Sequence, residues 1–423
     1  MPNLFQVSSL IAQTTTEFFL QKSPLYNSSN HDYESEFKQQ SYKTGGTINI
    51  KVPGNPPVQT GLSVSASNIQ DLVIPYTITE SDIYSVVRNL NSYEEIFDIG
   101  GGSKALTTAQ KKAVVDNYGY PAFQSLEGRI EQECVTRLKS TAYITPVDTI
   151  EKLESQSVNS FDAISECDEL ANEMKVDISR YMMMNSRDAR LVSNSLQNYF
   201  AQTYALKVLK SAFIGNGDKG NLAGFDVWRS TELKKHTAGT LGQSNSTRNI
   251  VVDSVSSDGK TITFSGVPST TATLIKAGDR ISIPSVNLVS NITHTDIRFK
   301  LVVTAAADAQ GNNDGTIDVV ISFPLLASGE HQNVTALPAG SAPAVVYPDR
   351  YLNFFYTKAG LSTVPLMLPE IYGATNNKSD ANPFPIRVIL QGAALEMQNN
   401  YRLASLVGIQ AFAPYAFELP SKV

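Results

Sequence analysis

From about Ala238 to Pro343 the chain runs through Ser, Thr, Gly and Asn with no helical period, while the segments on both sides carry helical or mixed patterns. This interruption constrains the fold more than any other feature. Short apolar runs separated by turn residues fit strands, and Asp258-Gly259 between two such runs is a hairpin signal. Further runs lie at Thr261 to Phe264, Arg280 to Ile283, Phe299 to Val303 and Thr316 to Phe323. In the last, Ile317, Val319, Ile321 and Phe323 share one face at period two. The expectation is an all-β module, a small barrel, inserted into a mixed domain whose halves share one core.

The preceding chain has a different character. Residues 1–40 mix Leu4, Phe5, Leu10, Ile11, Phe18 and Phe19 with polar stretches, which reads as a partly helical arm whose apolar residues need a surface from elsewhere. Thr47 to Val52 alternates polar and apolar, the pattern of a strand. Gly45-Gly46 precedes it and Pro53-Gly54-Asn55-Pro56-Pro57 closes it. Leu62 to Ser65 and Asp71 to Pro75 are further strand candidates. A two-stranded ribbon is marginal alone, so this one is expected to lie on another chain. Ile48, Ile50, Val52, Pro53, Val58, Leu62 and Val64 are its candidate contact residues.

Residues 80–145 read as helical. Between Pro121 and Tyr143, Leu126, Ile130, Cys134, Leu138 and Ala142 form one apolar stripe, on a helix on the order of 30–35 Å long. It should end before Pro146. A second helix is expected over about 158–175, with Phe161, Ile164, Cys167, Leu170, Ala171 and Met174 at helical spacing. Arg180 to Asn185 reads as a buried strand whose Met182-Met183-Met184 run is core. A third helix begins at Ser186 and runs to about Ala201. After Pro343 mixed strands return, ending with Ala404 to Phe412. The fold class is α+β.

Catalytic, cofactor and metal residues are not expected. His31, His236, His294 and His331 are widely spaced, lack zinc-type pairing, and read as surface residues. Cys134 and Cys167 show no metal spacing and read as buried thiols. Gly100 to Lys104 lacks the order of a phosphate loop, and Asp168-Glu169 reads as a solvated helix face. The net charge of -6 excludes a dedicated nucleic-acid binder with a basic stripe. Lys104, Lys111 and Lys112 are a weak DNA-facing candidate against an ordinary solvated loop. A charged fraction of 17% against the usual ~25% suits a subunit buried against neighbours. No apolar run approaches the ~18 residues of a membrane span, and no basic residue precedes Lys22, so no secretory signal is expected.

Several segments resemble one family. Tyr42 to Pro53, preceded by His31-Asp32-Tyr33 and Glu36-Phe37, resembles the N-terminal region of P-twenty-two-type phage coat proteins. Asn221 to Ser230 resembles the strand that precedes an inserted β-barrel in that family. Leu274 to Ile283 resembles a strand pair within the insertion, and Arg180 to Val192 resembles the strand and helix leading into an apical domain. The resemblance spans nearly the whole chain in the expected order; residues 88–120, with their triple glycine, depart from it and leave the start of the long helix open.

The resemblance implies the Hong Kong ninety-seven capsid fold, with residues 1–41 as N-arm and 42–76 as extended E-loop. Residues 77–149 would be a peripheral domain with a long spine helix, 150–237 an apical and peripheral core, 238–344 the inserted barrel-like domain, and 345–423 the return. It implies a major capsid protein that assembles with copies of itself into the pentamers and hexamers of an icosahedral head. Implied partners are a scaffolding protein, a portal, a decoration protein and double-stranded DNA held without sequence preference. Assembly is expected in the host bacterial cytoplasm, with the product in the virion. Contacts between capsomers are expected from the loop Ile283 to Arg298, with Asn287, Asn291 and Asp296, or from the loop 304–316. A tail or adhesion protein should show repeats, and none occurs; a cellular compartment shell of the encapsulin type shares the fold.

Overall fold

The computed structural model describes residues 24–34, 37, 46–52, 72–90, 120–155, 161–176, 179–199, 219–243, 248–270, 272–368, 374–379, 382–393 and 398–423. Helix α1 (Pro24–Asn27) is followed by strands β1 (Thr47–Val52), β2 (Leu72–Thr77) and β3 (Ile83–Leu90). Helices α2 (Tyr120–Thr141), α3 (Ile150–Ser155) and α4 (Phe161–Glu173) come next, then β4 (Arg180–Asn185) and α5 (Ser186–Tyr199). Strands β5 (Lys219–Leu222), β6 (Phe225–Ser230) and β7 (Lys235–His236) lead to a four-residue helix α6 (Thr240–Gln243). The inserted stretch holds β8 (Asn249–Val255), β9 (Thr261–Ser265), β10 (Thr273–Ile275), β11 (Arg280–Val289), β12 (Asp296–Thr304), β13 (Ala309–Gln310), β14 (Thr316–Val320) and β15 (Pro343–Val346). The chain returns through β16 (Arg350–Tyr351), β17 (Phe354–Thr357), β18 (Leu361–Leu366), β19 (Ala374–Ser379), β20 (Asn382–Ala393), β21 (Gln398–Ala411), β22 (Ala416–Glu418) and β23 (Ser421–Lys422).

The chain divides into two compact units. One lies within Met1–Ile48, Pro75–Cys134 and Ser362–Gln410, the other within Asn49–Ile74, Val135–Leu361 and Ala411–Val423.

In the first unit β21 pairs antiparallel with β20 and with β3, from Ile83 opposite Leu406 to Leu90 opposite Asn399. Strand β3 corrects the helical expectation for residues 80–145. The run Ile83-Tyr84-Ser85-Val86-Val87 is β-branched and aromatic, which suits a pleated surface, and β21 offers it a long edge. A single helical turn at Glu80–Asp82, capped reciprocally by Thr79 and Asp82, precedes the strand. The arm is also partly corrected. Leu25 and Tyr26 are buried, Tyr26 meets Phe384 edge-on at 5.1 Å, and Thr363 N–H donates to Asn30 O at 3.0 Å. Residues 24–31 therefore sit on their own chain; Leu4 to Phe19 lie outside the described residues.

The apolar stripe of α2 is buried as its spacing predicts: Leu126, Ile130, Cys134, Leu138 and, just past its end, Ala142 are at most 1% exposed. Both cysteines are free and buried.

In the second unit a five-stranded sheet runs β22-β17-β4-β6-β5. Strands β4 and β6 are parallel, Arg180 opposite Phe225 to Asn185 opposite Ser230, and the other pairings are antiparallel. Met182, Met183 and Met184 are fully buried in it. Asp168 is not simply solvated: Arg180 Nη1 donates to its Oδ1 at 2.6 Å.

The inserted stretch is a closed barrel. Its sheet runs β12-β11-β15-β8-β9-β14, and the two ends meet where Ser322 N–H donates to Thr304 O at 3.0 Å and Ala306 N–H to Val320 O at 2.8 Å. Ile250, Val252, Ile262, Phe264, Ile281, Ile283, Leu301, Val303, Ile317, Val319, Ala344 and Val346 are all buried. The β8–β9 hairpin turns as its sequence predicts. Asp258 Oδ1 accepts from Ser256 Oγ and Lys260 N–H at 2.6 and 3.1 Å. Gly259 takes φ +67 where a Cβ would lie 2.4 Å from Leu325 O. The barrel sheet ends with β15 at Val346.

Candidate assembly surfaces

The ribbon is the first surface. Among the described residues β1 and β2 pair only with each other, joined at one end by Thr47 and Thr77 hydroxyls 2.8 Å apart and by Ile78 N–H donating to Gly46 O at 3.3 Å. Alternation divides its faces. Ile48 and Ile50 are 5% and 6% exposed and Tyr76 only 1%, and Phe37 meets Tyr76 edge-on at 5.2 Å. Ile48 and Ile50 are thus buried within this chain. The outward face carries Thr47, Asn49, Lys51, Pro75 and Thr77, together with Val73, 48% exposed. Val73 escaped the sequence reading, although its place in a period-two strand marked it. Val52 ends β1; Pro53, Val58, Leu62 and Val64 lie outside the described residues, as do Gly100 to Lys104, Lys111 and Lys112.

The tip of the β11–β12 hairpin is the second. The loop expected from Ile283 to Arg298 is shorter, because β11 reaches Val289 and β12 starts at Asp296. Register shifts beside Asn287 absorb the extra residues around Pro284. Asn287 faces Lys300 across the ladder. Asn287 Nδ2 donates to Asp296 Oδ2 at 2.7 Å, and Lys300 Nζ donates to Asn287 Oδ1 at 2.8 Å. The hydrogen bond from Asn287 holds the Asp296 carboxyl below its usual range. The structure therefore joins Asn287 and Asp296 and puts Asn291 in the turn between their strands, beside Ile292, which is 52% exposed. A solvated isoleucine at a hairpin tip was readable from sequence only once the turn was located.

The base of the barrel is the third, and it faces inward. The outer sides of β11 and β12 press on the chain after α2. Ser282 Oγ donates to Asp148 O at 2.6 Å, Lys300 N–H to Asp148 Oδ2 at 2.8 Å, Thr304 Oγ1 to Ala142 O at 2.7 Å, and Tyr347 Oη to Val147 O at 2.7 Å. Here Arg280 Nε and Nη2 donate to Glu418 Oε2 at 3.1 and 2.8 Å, and Arg350 Nε donates to Glu418 Oε1 at 2.6 Å. All three side chains are fully buried. Burial alone would raise the Glu418 pKa, but the two guanidiniums hold it at about 2. His236, expected at the surface, is buried with Nε2 donating to Asp279 Oδ1 at 2.7 Å. Its position opposite Arg350, in a strand of two residues, turns it inward.

The described residues hold no cluster of three metal-binding side chains, and burial raises both cysteine thiols, which leaves them inert. Among the described residues no helix is long and apolar enough to cross a membrane.

Val73 on the ribbon and Ile292 at the hairpin tip thus stand exposed beside buried neighbours. The family model described as P22 coat protein, gene protein 5, matches residues 103–419. The chain belongs to that family and is a major capsid protein of a phage head. No curated relative matches it. Solved structures with low similarity include one of Mycobacterium phage Che8 (TM-score 0.42, 11% identity, covering 94% of this chain and 91% of that one). A structure of Mycobacterium phage Ogopogo gives 0.39 and 8%, covering 95% and 92%. An acid-stable capsid structure of Helicobacter pylori bacteriophage KHP30 gives 0.38 and 10%, also covering 95% and 92%. The family match carries the assignment.

Proposed function

We propose that this chain is a non-catalytic shell subunit that closes into pentamers and hexamers of an icosahedral head around double-stranded DNA. Heterologous contacts between identical copies close into rings, and an open strand edge captures a neighbouring segment by backbone pairing. The ribbon is the observation that supports this reading most. It is two strands wide, its edges are unpaired among the described residues, and its outer face carries Val73. In this reading residues 42–76 lie across the adjacent subunit, the long helix α2 is the spine of a peripheral domain, and the β11–β12 tip meets the next capsomer through Asn287, Asn291, Asp296 and Ile292. A scaffolding protein, a portal and a decoration protein are the expected further partners, DNA is contacted without sequence preference, and assembly takes place in the host cytoplasm. Deleting Val52 to Gly61 tests the central claim. The variant should remain a folded monomer by circular dichroism and form no shells by negative-stain electron microscopy; normal shells would refute it.

A further inference from the structure

The strands that lead into and out of the barrel lie side by side: β7 and β16 pair antiparallel, with His236 opposite Arg350. Both side chains turn to the same three barrel residues. Arg350 Nη2 donates to Gly278 O at 2.6 Å, His236 Nε2 donates to Asp279 Oδ1 at 2.7 Å, and Arg280 shares Glu418 with Arg350. Three consecutive residues of one turn thus each hold a separate part of the frame. Gly278 has φ +87, and the stem of Lys139 from α2 occupies the space where its Cβ would stand, within 2.8 Å.

Arg280, Arg350 and Lys139 stand near the carboxylates of Asp279, Glu418 and Asp308 in this node. Nη1 of Arg280 and Nη1 of Arg350 are buried without a hydrogen-bond partner. The Asp279 carboxylate is already satisfied on its other oxygen, where Oδ2 accepts from Gly239 N–H and Lys276 N–H at 2.9 and 2.8 Å. The charged groups facing His236 are Asp279 from the barrel turn, Arg350 and the neighbouring Asp349 from the outbound strand, and Lys139 from α2. A proton on His236 would add a positive charge beside Arg350 and Lys139 on a buried side chain.

We propose that this node is an acid-sensitive fastener that fixes the barrel to its two-strand stalk, with His236 as the group whose protonation loosens it. Burial, opposed in part by Asp279, lowers the pKa of His236. The opened stalk, with an ordinary histidine near 6.5, takes up a proton that the closed one resists. Closure is then fully favoured above pH 6.5 and weakens as pH falls below it, by at most about tenfold per pH unit for one proton. His236 and Asp279 act as positioning residues for the barrel.

The test is hydrogen exchange on the full chain from pH 8 to 5, expressed as protection factors corrected for intrinsic rate. Protection of amides at 235–239, 276–280 and 349–351 should fall roughly tenfold per unit below pH 6.5. Protection at 182–184 and 262–264 should hold. In His236→Gln, which keeps a neutral donor toward Asp279, the stalk should lose this dependence. The same fall in that variant, or simultaneous loss throughout the frame and barrel, would overturn the proposal. Asp279→Asn gives an independent reading: without the anion His236 resists protonation further, so loosening should continue to a lower pH. An unchanged profile there would overturn it as well.

Discussion

All six strands of the closed barrel come from residues 249–346, whereas the five strands of the mixed sheet come from 180–185, 219–222, 225–230, 354–357 and 416–418. Both sheets bury an apolar face, while Val251 and Val320 stay exposed on the barrel sheet. The difference lies in how far the chain travels to make a pair. Barrel hairpins such as β8–β9 and β11–β12 close over short turns, and a bridge between Ala305 and Ile321 brings the two ends of the sheet together. The mixed sheet needs a parallel crossover between β4 and β6 and a return across the whole barrel before β17 and β22 can join. Loop closure must be completed before such contacts stabilise anything. The comparison predicts that the barrel holds itself together, while the frame depends on the barrel to bring its last strands home.

The largest test separates the two regions. Residues 238–346 expressed alone should give a cooperative circular dichroism melt. The chain with that segment replaced by a short linker should fail to fold, because Glu418 and Arg350 lose Arg280 and Gly278. A stable linker variant, or an unfolded barrel fragment, would break the comparison.

Next is Glu418→Ala, which leaves two buried guanidiniums facing no carboxylate. It should cost roughly 3–5 kcal/mol in urea unfolding. Changing Arg280 and Arg350 to Met together with Glu418→Leu should recover most of that loss, since apolar replacement of a buried ionic triad is often neutral or stabilising. No recovery would mean that the ions themselves specify the junction.

Acid should act on the same carboxylate more gradually. The folded pKa of Glu418, about 2, lies below its ordinary value near 4.3. Its contribution is therefore complete above that value and drains away as pH falls toward 2. Stability measured from pH 5 to 2 should decline in wild type and more shallowly in the apolar triple variant.

The smallest expected effect is at the barrel tip. Asn287→Ala breaks a solvent-exposed cluster with Asp296 and Lys300 and should change stability by about 1 kcal/mol or less. A loss of shell yield without a loss of stability would mark the tip as an assembly contact, and unchanged yield would confine the barrel's role to its base.

Legibility followed the same division. The Asp258-Gly259 turn and the α2 stripe rest on patterns contained within a few residues and appear as read, whereas β11 runs on from Ile283 to Val289 and β14 stops at Val320, short of Phe323. Strand β3 was misread because its partner, Asn399 to Leu406, is remote in sequence and the β-branched, aromatic run Ile83 to Val87 was outweighed by the helical pattern that follows it. The burial of Ile48 and Ile50 was not legible locally because Tyr76, on the same face, sits in a separate strand. The buried node was missed for the same reason, although it left a trace. Arg280 and Ser282 alternate with buried Ile281 and Ile283, and Glu418 follows Ala416-Phe417 in an apolar run. A charge inside a buried pattern signals a partner but does not name it.

The side-by-side placement of β7 and β16 has a consequence beyond holding this barrel. Two adjacent antiparallel strands stand about 5 Å apart, so the frame presents a socket with a narrow, fixed gauge. Any domain whose first and last residues meet at that spacing could be carried there without moving a strand of the host sheet.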